Sequence, residues 1–148
     1  MPIPQVSVFL DNRPGSLFDA MSQLDKNQIK VFALTIADAG EFGLVRLITE
    51  DPQKTGSLLE DAGFNLAKSK RNTEVTAIFI SDEERLSKIT KLLGDGGLNI
   101  EYAYSSAVHV AGKVALILRV SDVVKAEELL KVNSVEVLSL AEIKQYFQ

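Results

Sequence analysis

The chain has 148 residues, 46% of them hydrophobic, with 16 basic and 20 acidic side chains and a formal charge of -4. The absence of Cys and a single His exclude disulfides, Cys-ligated metals and a multi-histidine metal centre, and the acidic balance argues against non-specific nucleic-acid binding. The N-terminus has no basic segment leading into an apolar core, and the apolar runs are strand-sized, so a cytoplasmic protein with no signal peptide and no membrane partner is expected.

In chain order, residues 5–10 alternate apolar and polar and predict a strand. Asp11-Asn12-Arg13-Pro14-Gly15-Ser16-Leu17 follows as a strand-to-helix turn. Pro14 is expected in the first turn of the helix, where a missing N–H costs little. Gly15 removes a Cβ, so a ligand can approach the backbone. A helix start carries unpaired N–H groups that attract carboxylate or phosphate. Residues 16–26 predict a helix with Leu17, Phe18, Met21 and Leu24 on one face. Residues 29–37 and 43–49 read as strands joined by a hairpin at 38–41, 51–62 as a helix, and 64–67 as a closing strand. The polar run 68–73 is expected to be a linker.

The same order then repeats. Residues 74–80 predict a strand and 83–93 a helix bearing Leu86, Ile89, Leu92 and Leu93. Residues 98–106 and 114–120 are strands around a hairpin at 109–112, followed by a helix at 121–131 and a strand at 135–138. Ser139 and Glu142 have capping-box spacing before Leu140, Ile143 and Phe147 on one face of a short C-terminal helix. Each half is therefore β-α-β-β-α-β: an α+β, ferredoxin-like unit with an antiparallel four-stranded sheet and both helices on one face. The expected domains are residues 1–69 and 70–148. Packed edge to edge, they would form one eight-stranded sheet. Alternation in the second half places Ile78 and Ile80 opposite Ala77 and Phe79, so both faces need cover. A homodimer is one expected cover and the C-terminal helix the other.

Two such repeats, with Asp-Asn-Arg-Pro-Gly-Ser-Leu after the first strand and Gly97-Leu98-Asn99-Ile100 at the matching strand entry of the second, resemble the ACT domain family. These are small regulatory domains of amino-acid biosynthetic enzymes. The resemblance implies a free-standing sensor that binds a free amino acid and acts on a metabolic enzyme in trans, with no cofactor, no metal and no catalytic residues. It also implies a ligand held between the turn of one domain and the second strand of its neighbour. Asn12 matches the ligand-contacting Asn of the turn, and Asn99 the one contributed by the neighbouring domain. Where the related dehydrogenase pattern has a His, this chain has Leu10.

The site expected on that basis comprises Leu10, Asp11, Asn12, Arg13, Pro14, Gly15, Ser16 and Leu17 with Leu98, Asn99, Ile100 and Tyr102. The ligand carboxylate would meet N–H groups around residues 13–17, and the two Asn carbonyl oxygens would accept from its ammonium group. Tyr102 and Tyr104 either wall a side-chain pocket or serve as ordinary strand aromatics. One site per chain is expected. At the equivalent turn of the second repeat, Ser81 and Glu84 have capping-box spacing, and Lys30 stands where Asn99 would be matched. His109 is expected to be an exposed loop residue. The alternative function is an acylphosphatase-like enzyme, which shares the topology and uses one Arg and one Asn; Arg13 and Asn99 resemble that pair. No Cys and one His leave no nucleophile–base pair for other hydrolytic chemistry.

Overall fold

The structure, a computed structural model, describes residues 2–81 and 85–146, without the side chains at positions 39, 70, 71, 107, 108 and 110. The chain begins with β1 (Ile3–Pro4), β2 (Val6–Asp11), α1 (Ser16–Lys26), β3 (Val31–Ala39), β4 (Phe42–Thr49), α2 (Pro52–Asp61), β5 (Asn65–Leu66) and the single helical turn α3 (Lys70–Thr73). It continues with β6 (Glu74–Ile80), α4 (Leu86–Asp95), β7 (Ile100–Val110), β8 (Lys113–Val120), α5 (Val123–Val132), β9 (Val137–Leu138) and α6 (Leu140–Tyr146). Two compact units result: Pro4–Thr73, and Glu74–Gln148 with Met1–Ile3.

In the first unit the sheet runs β3-β4-β2-β5, all antiparallel. Val6, Val8 and Leu10 of β2 and Val45 and Leu47 of β4 form a core with Ala20 and Leu24 of α1 and Leu59 of α2. Strand alternation puts these residues on the helix-covered side, which is why the apolar period of two in the strands meets the helical period in α1. Phe18 departs from the expected face: it is 73% exposed, while Ala20 and Leu24, four residues apart, are buried. Residues 68–73 are more than a linker. The Asn72 carbonyl accepts from Gln5 Nε2 at 2.8 Å and from Ser7 Oγ at 2.7 Å, so α3 supplies the acceptor shared by two buried polar side chains at the start of β2.

In the second unit β9 and β1 lie on β6, followed by β8 and β7. Ile78, Leu116, Leu118 and Val120 pack with Ile89 and Leu93 of α4 and Ala126 and Leu130 of α5. The other face carries Ala77, Phe79, Ala115 and Ile117, all buried. The C-terminal helix covers part of that face, with the Phe79 and Tyr146 rings in edge contact, their centroids 5.0 Å apart. Ser139 and Glu142 form the reciprocal capping box read from the sequence: Ser139 N–H donates to Glu142 Oε1 at 3.2 Å and Glu142 N–H to Ser139 Oγ at 3.1 Å. Phe147 lies outside the described residues. Because this face is already buried in a single chain, its apolar strands no longer call for a second copy.

Three further expectations are corrected. The described strands form two hydrogen-bonded sheets, one per unit, instead of one eight-stranded ladder. Within their own sheets, β3 and β7 carry register shifts against β4 and β8. Next, α4 opens at Leu86, with Arg85 at its N-cap and no side-chain hydrogen bond there. The Ser81–Glu84 cap expected earlier in the chain involves residues 82–84, which lie outside the described residues. Finally, His109 is exposed but lies within β7, since that strand runs on to a tight turn at Ala111-Gly112.

Candidate functional site

Asp11 ends β2, and the chain turns through Arg13-Pro14-Gly15-Ser16 before α1 begins. Gly15 has φ 89° and ψ -11°, and Ser16 N–H reaches back to the Arg13 carbonyl at 3.3 Å. Pro followed by a left-handed Gly is the pattern of a type II turn. Pro14 therefore sits ahead of the helix cap, not in the first helical turn, because the turn takes the fixed proline φ and leaves the positive φ to Gly15.

Gly15 caps α1 without a side chain. In contrast, Asp51 accepts from Lys54 N–H at 3.0 Å at the start of α2, and Asp122 accepts from Lys125 N–H at 3.1 Å at the start of α5. Among the described residues, the N–H groups of Gly15, Leu17 and Phe18 find no acceptor. Ser16 is 6% exposed, and its Oγ has no hydrogen-bond partner. A buried hydroxyl left unpaired costs about 1–3 kcal/mol, so its presence beside an uncapped helix start needs a cause.

Asn12 is held from the other side. Its Nδ2 donates to the Gly40 carbonyl at 2.9 Å and to Asp38 Oδ1 at 3.4 Å, and its N–H donates to the Glu41 carbonyl. The β3–β4 hairpin thus consumes both amide hydrogens and leaves Oδ1 as an unused acceptor. Arg13 lies between two carboxylates, 3.7 Å from Asp11 and 3.8 Å from Asp19. Both pairs are largely solvent-exposed and worth about 0–1 kcal/mol, so the guanidinium can be drawn away cheaply.

Two depressions meet at this turn and share Leu10, Asp11, Arg13 and Ser16. One, of about 160 Å³, adds Asn12, Leu17, Ile36, Gly43 and Val45. The other, of about 200 Å³, adds Phe9, Asp19 and the segment Gly63-Phe64-Asn65. Leu10, Asp11, Asn12, Arg13, Ser16 and Leu17 are therefore brought together as expected from the sequence, while Pro14 and Gly15 shape the turn without lining either depression. Ile36, Gly43 and Val45 were missed. The β-α-β-β topology could have revealed them, since the third strand pairs with the first and sets Gly43 opposite Leu10.

In the second unit, Asn99 is exposed, and among the described residues its hydrogen bonds are those its backbone exchanges with Ser121. Leu98 is buried in the core of that unit, so its side chain is not presented to a ligand. Ile100 packs partly against the same core. Tyr102 is half-buried and pairs across to Arg119; Tyr104 is buried opposite Ile117. The position matching Asn99 in the first unit is Lys30, which is exposed and donates its N–H to Glu50 Oε1.

The geometry is that of two β-α-β-β-α-β units, the first with a helix start that no side chain caps. The chain belongs to the ACT domain pair family, whose model matches residues 1–146. A Bacteroides thetaiotaomicron protein of known structure is 30% identical, with a TM-score of 0.86 over 97% of this chain and 96% of that one. The ligand-free regulatory subunit of aspartate kinase from Thermus thermophilus is similar at 15% identity, with a TM-score of 0.60 over 97% of this chain and 92% of that one. Its counterpart from Thermus flavus is also 15% identical, with a TM-score of 0.56 over 99% and 94%. At that identity the likeness to the two kinase subunits is one of fold. No curated protein sequence matches significantly.

Proposed function

We propose that the protein is a non-enzymatic regulatory domain pair that binds one free amino acid at the start of α1 and transmits occupancy to a metabolic enzyme or regulator in trans. The observation that carries this reading is the buried, unpartnered Ser16 hydroxyl beside three N–H groups without acceptors. An incoming carboxylate would accept from these donors, each charge-assisted bond contributing about 1.5–3 kcal/mol. Asn12 Oδ1, oriented by the hairpin, would accept from the ammonium group. Arg13 would exchange its loose pairing with Asp11 and Asp19 for the ligand carboxylate. Asn99, Ile100 and Tyr102 enter as the family resemblance implies, as the wall contributed by a neighbouring ACT domain. Regulation in trans is supported by the Thermus subunit, a regulatory chain of similar extent.

Isothermal titration with the twenty amino acids tests this reading. Saturable heat for at least one, near one equivalent per chain and lost in Asn12→Ala, is expected. No heat with any of them would remove the proposal.

A further inference from the structure

Both repeats are built on one apolar frame. Val45 and Leu47 of β4 match Leu116 and Leu118 of β8, and Leu58 and Leu59 of α2 match Leu129 and Leu130 of α5. Each of these helices also starts at an Asp that accepts from a backbone N–H of its first turn. By hydrophobic pattern α2 therefore suits the second sheet as α5 does, and misassembly between similar repeats is a characteristic failure of such chains.

The two helix–sheet seams differ in where they bury polar groups. In the first unit Thr49 ends β4 and Thr55 lies in α2, both fully buried, with their Oγ1 atoms 2.8 Å apart. Thr55 Oγ1 donates to the Asp51 carbonyl at 2.8 Å, so the Thr49 hydroxyl is the donor within the pair. The matching residues of the second unit are Val120 and Ala126, both apolar and buried. In the second unit Thr76 of β6, fully buried, donates to Glu127 Oε2 of α5 at 2.7 Å, and Glu127 is 4% exposed. Val6 stands opposite Leu47 as Thr76 stands opposite Leu118, and counting from the capping Asp puts Gly56 where α5 has Glu127. Each unit thus has its own polar pair, at positions where the other unit has apolar residues or glycine.

We infer that these two pairs form a matching device that directs α2 and α5 each to its own sheet. A wrong pairing strands buried polar groups in both directions. With α5 on the first sheet, Glu127 meets Val6 in place of the Thr76 hydroxyl, and Thr49 loses the oxygen of Thr55. The space is short as well, since a Cβ at Gly56 already touches Leu66 Cδ1 at 3.5 Å. With α2 on the second sheet, Gly56 leaves Thr76 without its carboxylate acceptor, and Thr55 faces Val120. A buried polar group without its partner is costly, whereas a satisfied pair specifies one core arrangement. The device stands on the two seams alone and is independent of ligand binding.

Refolding of the full chain from urea tests this, read as the fraction of molecules that regain the native amide NMR spectrum. Thr49→Val with Thr55→Ala copies the second unit's residues into the first, and Thr76→Val with Glu127→Met replaces the other pair by apolar side chains. The native chain is expected to return completely. With all four changes the native fraction is expected to keep or raise its melting temperature, because apolar replacement of a whole buried polar pair is neutral or stabilising. Only about half of the molecules or fewer are expected to regain that spectrum, the rest giving a second folded set of signals for α2 and α5. If the fourfold variant does not fold, Thr49→Val/Thr55→Ala alone is read in the same way, with a smaller second set. Complete recovery of the variant would overturn the inference. A loss that follows a lowered melting temperature, with no second folded set, would also overturn it and assign the pairs to packing alone.

Discussion

Ser16 concentrates the argument at the residue scale. Its hydroxyl is buried and unpaired beside backbone donors that, among the described residues, find no acceptor. Removing it separates stability from binding. Ser16→Ala is expected to hold or raise stability by up to about 1 kcal/mol, because an unsatisfied polar atom leaves the interior. The same change is expected to weaken the amino-acid ligand about tenfold or more. Thermal unfolding and calorimetry on the same sample check both halves; a Ser16→Ala variant that is destabilised yet binds normally would assign the hydroxyl to folding alone. The uncapped turn was legible in the sequence because Pro14-Gly15 offers no capping oxygen. The clamp on Asn12 was not, since Asp38 and Gly40 lie far along the chain and meet it only once β2 and β4 have paired. Arg13 was likewise ambiguous: its acidic partner Asp19 is separated by a helical turn.

At the scale of elements, the strands and helices of both repeats follow from hydrophobic period alone, and α1 and β6 occupy the residues the pattern marks. Departures occur where a local signal competes with tertiary pairing. β7 runs past the expected hairpin at His109, because Val110 and Lys113 close a tighter turn. The run 68–73 looks like a linker by composition, yet it winds into α3 because Gln5 and Ser7 need acceptors. The capping box of α6 is the element whose contribution can be measured most simply. Ser139→Ala is expected to cost about 1 kcal/mol by chemical denaturation and to expose Phe79 as α6 frays. An unchanged midpoint would mean that the packing of Ile143, 2% exposed, holds the helix without its cap.

For the molecule as a whole, burial of both sheet faces in the second unit shifts the question of self-association to the first. There, on the face of the sheet away from the helices, Phe9 is 39% and Phe42 49% exposed. We propose that the expected homodimer forms across these two rings. Sedimentation equilibrium at micromolar concentration is expected to give a dimer mass that falls to the monomer in Phe42→Ser. A native monomer would withdraw the dimer. A regulatory role requires occupancy at the start of α1. The most direct test is an amide NMR titration of the intact chain with each of the twenty amino acids in turn. The expected result, for at least one of them, is saturable shifts led by Gly15, Ser16, Leu17 and Phe18 with the Asn12 side chain, all fitting one binding constant. Unmoved signals at those residues, with every amino acid tried in excess, would contradict the account.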